Sequence, residues 1–151
     1  MKRMVHIVGA MAPGGLESFI MNIYREIDRK QVQFDFIVHD HPENSYEEEI
    51  KNMGGRIFTP TRKSKSILKN FSDMYHIIKK EKFDAVFRHS DNAFAVLDLL
   101  AAKWAGASKI IMHSHSTSTT SKKIHTLFKP WISHITTHNF ACSQAAGIWM
   151  F

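Results

Sequence analysis

Short apolar runs alternate with amphipathic segments along the whole chain. The apolar runs lie at residues 4–8, 33–38, 56–59, 83–88, 109–112 and 139–142, and each has the length and flanking turn residues of a β-strand. Between them apolar residues recur at helical spacing, as they do at Leu16, Phe19, Ile20, Ile23, Tyr24 and Ile27. Strands that alternate with helices through short connections predict a parallel sheet covered on both faces. We expect a doubly wound, mainly parallel, six-stranded Rossmann-like α/β sheet in the order 3-2-1-4-5-6.

Turn and capping residues predict where two of the helices begin and end. Ser45 and Glu48 have the spacing of a capping box for a short second helix that ends at Gly54. Pro130 falls inside the helix that starts near Ser121, and it predicts a bend or an end at that point.

The composition is that of an ordinary globular domain. The chain has 151 residues, 44% of them hydrophobic and 23% charged, which fits one domain with a sizeable core. A single cysteine, Cys142, leaves no internal disulfide and fits a reducing compartment. No apolar run reaches the roughly 18–20 residues of a membrane span. The first apolar run stops at Gly9 and leads into a helix pattern, so it predicts a strand rather than a signal peptide, and we expect a cytoplasmic protein.

The excess of positive charge points to an anionic partner. The formal net charge is +6, which favours a phosphate, a nucleotide, a lipid headgroup or a nucleic acid without choosing among them. A basic helix over residues 63–82 fits either a solvated lysine face or a contact with anionic lipid. Nucleic acid is not expected, because these lysines come without interleaved exposed aromatic residues or a known binding module.

The first connection is a glycine-rich loop between a predicted strand and a predicted helix. Gly9, Gly14 and Gly15 let the backbone approach a ligand closely, and the helix start offers unpaired N–H groups. The spacing does not match G-x-G-x-x-G, and Gly15-Leu16 stands where a P-loop requires Lys and Ser or Thr. The loop therefore fits a tight turn without a ligand, or one wall of a shared cleft. Glu17 would repel a phosphate lodged fully on this helix start, which argues against a self-sufficient phosphate site.

Several other predicted strands also end in polar residues. Ligands of a doubly wound sheet bind beyond the carboxyl ends of its strands, near the point where the strand order reverses. Strands one and four flank that point, so the glycine loop and residues 89–92 should face each other across one crevice, with residues 113–115 on the next wall. The candidate binding residues are Gly14, Gly15, His89, Asp91 and Asn92, and the candidate catalytic residues are His113 and His115.

Some of these polar residues also have a simpler structural explanation. Asp91 or Asn92 is placed to cap the fourth helix, and Ser143 is placed to cap the last one. Three further histidines are expected at the edge of the core or on the surface without a role: His6, His76 and His125.

A metal site and a cysteine nucleophile are both weakly supported. His113 and His115 would share one side of an extended segment, and His134 and His138 would share a helix face, but no Cys cluster or acidic pair completes a site. We therefore expect no metal, and an imidazole that hydrogen-bonds a hydroxyl or a phosphate is the simpler role. Cys142 ends an apolar strand, where a thiol is usually a small core residue.

Four segments together resemble a known family. They are Gly14-Gly15-Leu16-Glu17, residues 34–39, residues 113–116 and residues 141–151. With these the chain resembles the N-terminal half of a GT-B glycosyltransferase, close to the family 4 enzymes of bacterial capsule and exopolysaccharide synthesis. The resemblance implies transfer of a sugar from a nucleotide-sugar, of which a UDP-sugar is favoured, to an acceptor hydroxyl. It also implies retention of configuration without an essential metal or other cofactor.

The resemblance also implies roles for particular residues. The glycine loop, Gly14 and Gly15, would approach the donor phosphates, and a histidine of the pair His113 and His115 would contact the transferred sugar. We favour His115 because it directly precedes the small polar run, and His113 stays open. The acceptor would be a sugar or a lipid-linked sugar at the inner face of the membrane.

The donor-binding C-terminal domain of such an enzyme is not in this sequence. We therefore expect residues 1–151 to be one truncated N-terminal domain that is inactive alone. Two other hypotheses are a non-enzymatic nucleotide- or anion-binding module and a metal-dependent hydrolase that uses His113 and His115.

Overall fold

The chain folds around one six-stranded, all-parallel sheet. The computed structural model describes residues 1–119 and 121–151. The strands are β1 (Lys2–Ile7), β2 (Val32–Ile37), β3 (Ile57–Phe58), β4 (Ala85–Ser90), β5 (Ile110–Ser114) and β6 (His138–Ala141). Their order is β3-β2-β1-β4-β5-β6, which confirms the doubly wound topology predicted from the sequence. The order reverses between β1 and β4, and this places the loops after these two strands side by side.

Helices cover both faces of the sheet. They are α1 (Gly15–Glu26), α2 (Glu47–Asn52), α3 (Ile67–Glu81), α4 (Val96–Trp104), which a 3₁₀ turn (Ala93–Ala95) precedes, α5 (Lys122–Ile135) and α6 (Gln144–Met150). Among the described residues, no helix is both long enough and apolar enough to span a membrane.

Strand alternation divides the core into two layers. Tyr24 of α1 packs on Phe34 and Phe36 of β2, and together with Ile50 of α2 these residues form the layer under α1 and α2. The larger layer lies on the opposite face and includes buried side chains from the sheet, α3, α4 and α5, among them Val5, Ile7, Met74, Leu99, Met112 and Ile132. Because α1 and α2 lie over β1 and β2, the same face of β5 and β6 is left open.

A buried carboxylate holds α4 against β4. Asp98 accepts hydrogen bonds from Nε of Arg88 at 2.7 Å and from Nζ of Lys63 at 2.9 Å. Burial raises the pKa of Asp98, but the positive charges of Arg88 and Lys63 outweigh burial, so the net pKa is lowered. The pair of cations thus keeps a carboxylate ionised inside the protein. Lys63, one of the basic residues of the predicted lysine face, therefore belongs to an internal ion pair.

The capping box predicted from Ser45 and Glu48 is wrong. Helix α2 begins after Tyr46, and no side chain caps it. The reason is tertiary: the Tyr46 N–H donates to the Met11 carbonyl at 2.7 Å, and its hydroxyl lies 3.1 Å from Oγ of Ser18. These two contacts fix Tyr46 as the N-cap of α2, one position after Ser45, the N-cap of the predicted capping box.

The prediction that Pro130 ends its helix is wrong, and so is the helix face predicted for two histidines; a bend at Pro130 stays a prediction. Pro130 lies inside α5, which continues to Ile135. Ile132 and Ile135 are buried in the core beyond the proline, and this packing keeps the last turn helical. Since α5 ends there, His134 lies in the helix while His138 starts β6, so the two do not share a helix face.

Candidate active site

One cavity of about 870 Å³ opens between the start of α1 and the carboxyl halves of β4, β5 and β6. It lies on the uncovered face of the sheet, at the edge where this fold binds ligands. Phe19 on α1 and Phe140 on β6 flank it, and each side chain is 52% exposed. The lining residues are Gly15, Leu16, Glu17, Phe19, Phe87, His113, His115, Phe140, Ala141 and Cys142.

The glycine loop forms the wall on the α1 side. Gly14 is the N-cap of α1, and no side chain caps the helix there. A Cβ added at Gly14 would lie 2.5 Å from Oε2 of Glu17, whereas one added at Gly15 would meet no atom within 4 Å. Gly14 therefore gives room to the Glu17 carboxylate, and Gly15 leaves open space in the cavity. A negative charge already lies at this helix start, where the helix dipole stabilises it.

The two histidines on the β5 side share the cavity. His113 is the fourth residue of β5. The strand was predicted to end at Met112, but it extends two residues further, to Ser114. His115 follows directly, and the two ring centroids are 6.3 Å apart. The ring of His113 also lies 6.1 Å from that of Phe19, so the cavity places imidazole nitrogens against an aromatic wall.

His89 lies behind His113. It is buried, and its Nδ1 is 3.0 Å from Nδ1 of His113. Burial lowers the pKa of His89 well below its ordinary value, and the positive charge of Arg88 acts in the same direction. His89 can therefore influence the cavity only through its hydrogen bond to His113, which orients the His113 ring.

Neither Asp91 nor Asn92 lines the cavity. Asn92 caps the 3₁₀ turn by accepting from the Phe94 N–H at 2.8 Å, and its amide donates to Thr119 at 3.0 Å. The Asp91 carbonyl accepts from the indole of Trp149 at 3.1 Å. The structure thus brings Gly15, His113 and His115 to one cavity, with Gly14 and His89 behind its walls, and gives Asn92 the capping contact predicted as its alternative. Ser143 likewise caps α6, accepting from the Ala146 N–H at 3.2 Å.

Several cavity and adjoining residues were not recognised in the sequence. Phe87 and Phe140 stack with centroids 5.8 Å apart, and they meet only because β4, β5 and β6 pair in register. Cys142 was expected in the core but is exposed, because the α1-side face of β6 has no helix over it. His6 and His125 are both buried and hydrogen-bonded, so the expectation of core-edge or surface positions is wrong for both. For Phe87, the one signal available in the sequence was its i, i+2 spacing from His89, which places both side chains on the same face of β4.

The cavity was also tested as a metal site. In the part of the chain that the structure describes, no group of three or more His, Cys, Asp or Glu side chains is placed to hold a metal ion. His113 and His115 are therefore two nitrogen donors without a third ligand among those residues.

Comparison with known proteins identifies the class. A family model described as Glycosyltransferase Family 4 matches residues 13–148, and the chain therefore belongs to glycosyltransferase family 4. A relative in Bacillus subtilis (strain 168), whose name reads "Putative glycosyltransferase EpsF", is 37% identical over 119 residues. That match covers 78% of this chain and 31% of the relative, so the chain spans less than a third of the relative's length.

Solved structures share the fold at low sequence identity. MurG of Acinetobacter baumannii superimposes with a TM-score of 0.64 and 14% identity, over 96% of this chain and 43% of MurG. MnaA of S. aureus, in a co-structure with UDP, gives a TM-score of 0.66 and 15% identity, over 99% of this chain and 40% of MnaA. At such identities the likeness concerns the fold.

Proposed function

We propose that this chain is the acceptor-side domain of a retaining glycosyltransferase in surface polysaccharide synthesis. The enzyme moves a sugar from a nucleotide-sugar, most favourably a UDP-sugar, to an acceptor hydroxyl. One observation carries the proposal: in a chain of glycosyltransferase family 4, Gly15 and the histidines at the end of β5, His113 and His115, line the same cavity.

His115 is the proposed contact to the transferred sugar. It lies at the rim of the cavity, beyond the end of β5, so a ligand can reach it without displacing the strand. His113 is deeper and has one ring nitrogen engaged with His89. Neutral imidazole can donate to or accept from a sugar hydroxyl, which is the chemistry that a sugar contact needs.

A second domain completes the proposed site. The wall on the α1 side carries Glu17 and no lysine, so it lacks the charge to hold a diphosphate alone. Gly14 and Gly15 are proposed to let the donor phosphates approach while another domain binds the nucleotide, without a metal. UDP in the structure of MnaA supports a uridine nucleotide as the first donor to test. Residues 1–151 alone are proposed to be inactive.

A basic and apolar surface supports attachment to the inner face of the membrane. Helices α3, α4 and α5 lie on the face of the sheet opposite the cavity. They expose large apolar side chains, of which Leu68 is 85% and Trp104 is 65% exposed. The exposed lysines around α3 are Lys65, Lys69, Lys79, Lys80 and Lys82. Apolar anchors among lysines fit an anionic bilayer surface, where a lipid-linked acceptor would be located.

The proposal is tested with the protein encoded by the complete reading frame. UDP release is measured over a panel of UDP-sugars with a lipid extract as the source of acceptor. His115→Ala should reduce turnover by at least about a hundredfold, a usual effect of losing one positioned hydrogen-bonding group in an active site. His76→Ala changes an exposed histidine of α3 and is the matched control, which should keep normal turnover.

Two outcomes would contradict the proposal. Near-normal turnover in His115→Ala, with His76→Ala unchanged, would remove His115 from the site. No turnover with any donor, together with tight binding of NAD by calorimetry, would favour a non-enzymatic dinucleotide-binding module. The chain of residues 1–151 is assayed in parallel, and turnover by it would show that no second domain is needed.

A further inference from the structure

Three imidazoles form a continuous chain behind the cavity. Nδ1 of His6 lies 3.0 Å from Nε2 of His89, and Nδ1 of His89 lies 3.0 Å from Nδ1 of His113. Each residue comes from a different strand, and β1, β4 and β5 are adjacent in the sheet. His113 lines the cavity, and its Nδ1 is directed to His89, so Nε2 is the nitrogen left on the cavity side.

The chain of imidazoles is uncharged near neutral pH. Burial is the main reason, since His6 and His89 are buried and His113 is largely so. Burial lowers the pKa of His6 to about 3 and lowers the pKa values of His89 and His113 as well. A neutral imidazole has one N–H and one bare nitrogen. Each of the two hydrogen bonds therefore needs a donor on one side and a bare nitrogen on the other.

Only two arrangements of protons satisfy both hydrogen bonds. In the first, His113 donates from Nδ1 to His89, His89 donates from Nε2 to His6, and His6 has its proton on Nε2. In the second, all three protons are reversed, and His6 has a bare Nε2. The two arrangements differ at both ends: at the cavity-facing Nε2 of His113 and at the buried Nε2 of His6.

The surroundings of His6 distinguish the two arrangements. Nε2 of His6 is buried without a hydrogen-bond partner among the described residues. Three aromatic rings surround this imidazole: Phe34, Phe36 and Phe87 have centroids 4.3, 5.6 and 5.4 Å from it. Phe36 and Phe87 stack nearly parallel to the imidazole, at 27° and 16°, whereas the nearest ring, Phe34, is tilted by 50°. An N–H lies in the plane of its imidazole, so a tilted ring can receive it on an electron-rich face that would repel a bare lone pair. The tilted Phe34 ring therefore favours the arrangement with the proton on Nε2 of His6.

We infer that His6 and His89 are positioning residues that fix His113 as the Nδ1–H tautomer, with its bare Nε2 presented to the cavity as a hydrogen-bond acceptor. A ligand group that meets His113 must then donate a hydrogen bond, as a hydroxyl does and a fully ionised phosphate does not. The ligand class rests on the proposed function, in which the cavity receives sugar hydroxyls. The tautomer itself does not depend on that function.

Nitrogen NMR of the 151-residue chain tests the inference without any substrate. Two-bond ¹⁵N–¹H correlation spectra distinguish the Nδ1–H, Nε2–H and doubly protonated forms of each histidine. At a pH near neutrality, His113 should give the Nδ1–H pattern, and His6 and His89 should both give the Nε2–H pattern. His113 in the Nε2–H form, or doubly protonated, would overturn the inference.

A variant then tests whether His89 is the cause. His89→Phe keeps an aromatic ring on Phe87 and removes the acceptor for His113, so His113 should shift towards the Nε2–H pattern that free imidazole side chains prefer. His76→Phe is the control and should leave His113 unchanged. A His113 that keeps the Nδ1–H pattern in folded His89→Phe would exclude His89 as the cause. Should that variant not fold, the wild-type spectrum still decides the proton placement. A correct tautomer in an enzyme without glycosyltransferase activity would refute the proposed function alone.

Discussion

His125 stacks on Trp149, with ring centroids 4.2 Å apart and ring planes at 14°. Its Nδ1 accepts from the Ala93 N–H at 3.1 Å, so the proton lies on Nε2, which donates to the Trp149 carbonyl at 3.0 Å. The indole of Trp149 donates in turn to the Asp91 carbonyl at 3.1 Å. Through these contacts α6 and α5 hold the loop after β4, which lies at the ligand-binding edge of the sheet.

The His125 contacts predict a difference between two substitutions. His125→Phe keeps the stacking but leaves the buried Ala93 N–H without its acceptor, and we expect a loss of about 1–3 kcal/mol in the free energy of unfolding. His125→Gln retains an acceptor and a donor and should lose less. Urea unfolding of both variants measures the difference, with His134→Phe as a control at an exposed position of the same helix. A larger loss in His125→Gln than in His125→Phe would show that stacking, and not hydrogen bonding, is what matters.

Buried neutral histidines predict a loss of stability in acid. The pKa of His6 is about 3 in the folded protein and near 6.5 in the unfolded chain, so only the unfolded chain binds this proton between those values. The stability is therefore complete above pH 6.5 and falls as the pH decreases towards 3. At about pH 4.5, His6 alone should lower the free energy of unfolding by about 2–3 kcal/mol.

The pH dependence is measured by urea unfolding at several pH values. His6→Phe should flatten the slope between neutrality and about pH 4.5, while His76→Phe should keep it. The lowered pKa of Asp98 acts in a separate, more acidic range, because a carboxylate with a lowered pKa contributes stability above its unfolded-state value and loses it below. An unchanged slope in His6→Phe would mean that His6 is not a source of the acid sensitivity.

The glycine loop predicts a separation between stability and binding. Gly15→Ala adds a methyl group into open space on the cavity wall and should leave the free energy of unfolding unchanged or raise it by up to about 1 kcal/mol. If the donor approaches this wall as proposed, the same change should raise KM for the nucleotide-sugar. Gly14→Ala should act mainly by displacing the Glu17 carboxylate. Thermal unfolding and steady-state kinetics of the complete protein decide the matter, and an unaltered KM in Gly15→Ala would place the donor elsewhere.

The basic and apolar surface predicts selective binding to anionic vesicles. Co-sedimentation with phosphatidylglycerol–phosphatidylcholine vesicles should be strong and should fall with salt, whereas pure phosphatidylcholine should bind weakly. Replacing Lys65, Lys69 and Lys79 by alanine should weaken binding by at least about tenfold, given about 1 kcal/mol per lysine near the membrane surface. Trp104→Ser on α4 and Trp131→Ser on α5 should weaken binding further, because both indoles are exposed. Wild-type affinity in the triple variant would show that the lysines are solvated and have no part in attachment.

Much of the fold was predictable because it depends on local pattern. The alternation of apolar runs with helical periodicity is a property of neighbouring residues, and short connections between parallel strands leave few topologies. The strand order and the caps at Asn92 and Ser143 were predicted for this reason. The start of α2 and the continuation of α5 past Pro130 were not predicted. A contact between Tyr46 and Met11 and the packing of Ile132 override the local preferences there.

The candidate site was likewise predictable only in part. The sequence by itself determined that Gly14, Gly15, His113 and His115 lie at or beyond the carboxyl ends of strands that meet at one edge, since that follows from chain order in a parallel sheet. Only the tertiary structure decided that His89 lies behind His113, that an aromatic wall of Phe19, Phe87 and Phe140 flanks the cavity, and that Asp91 and Asn92 do not line it. These features depend on strand register and on which part of the sheet α1 covers, and both are set by packing between residues far apart in the chain.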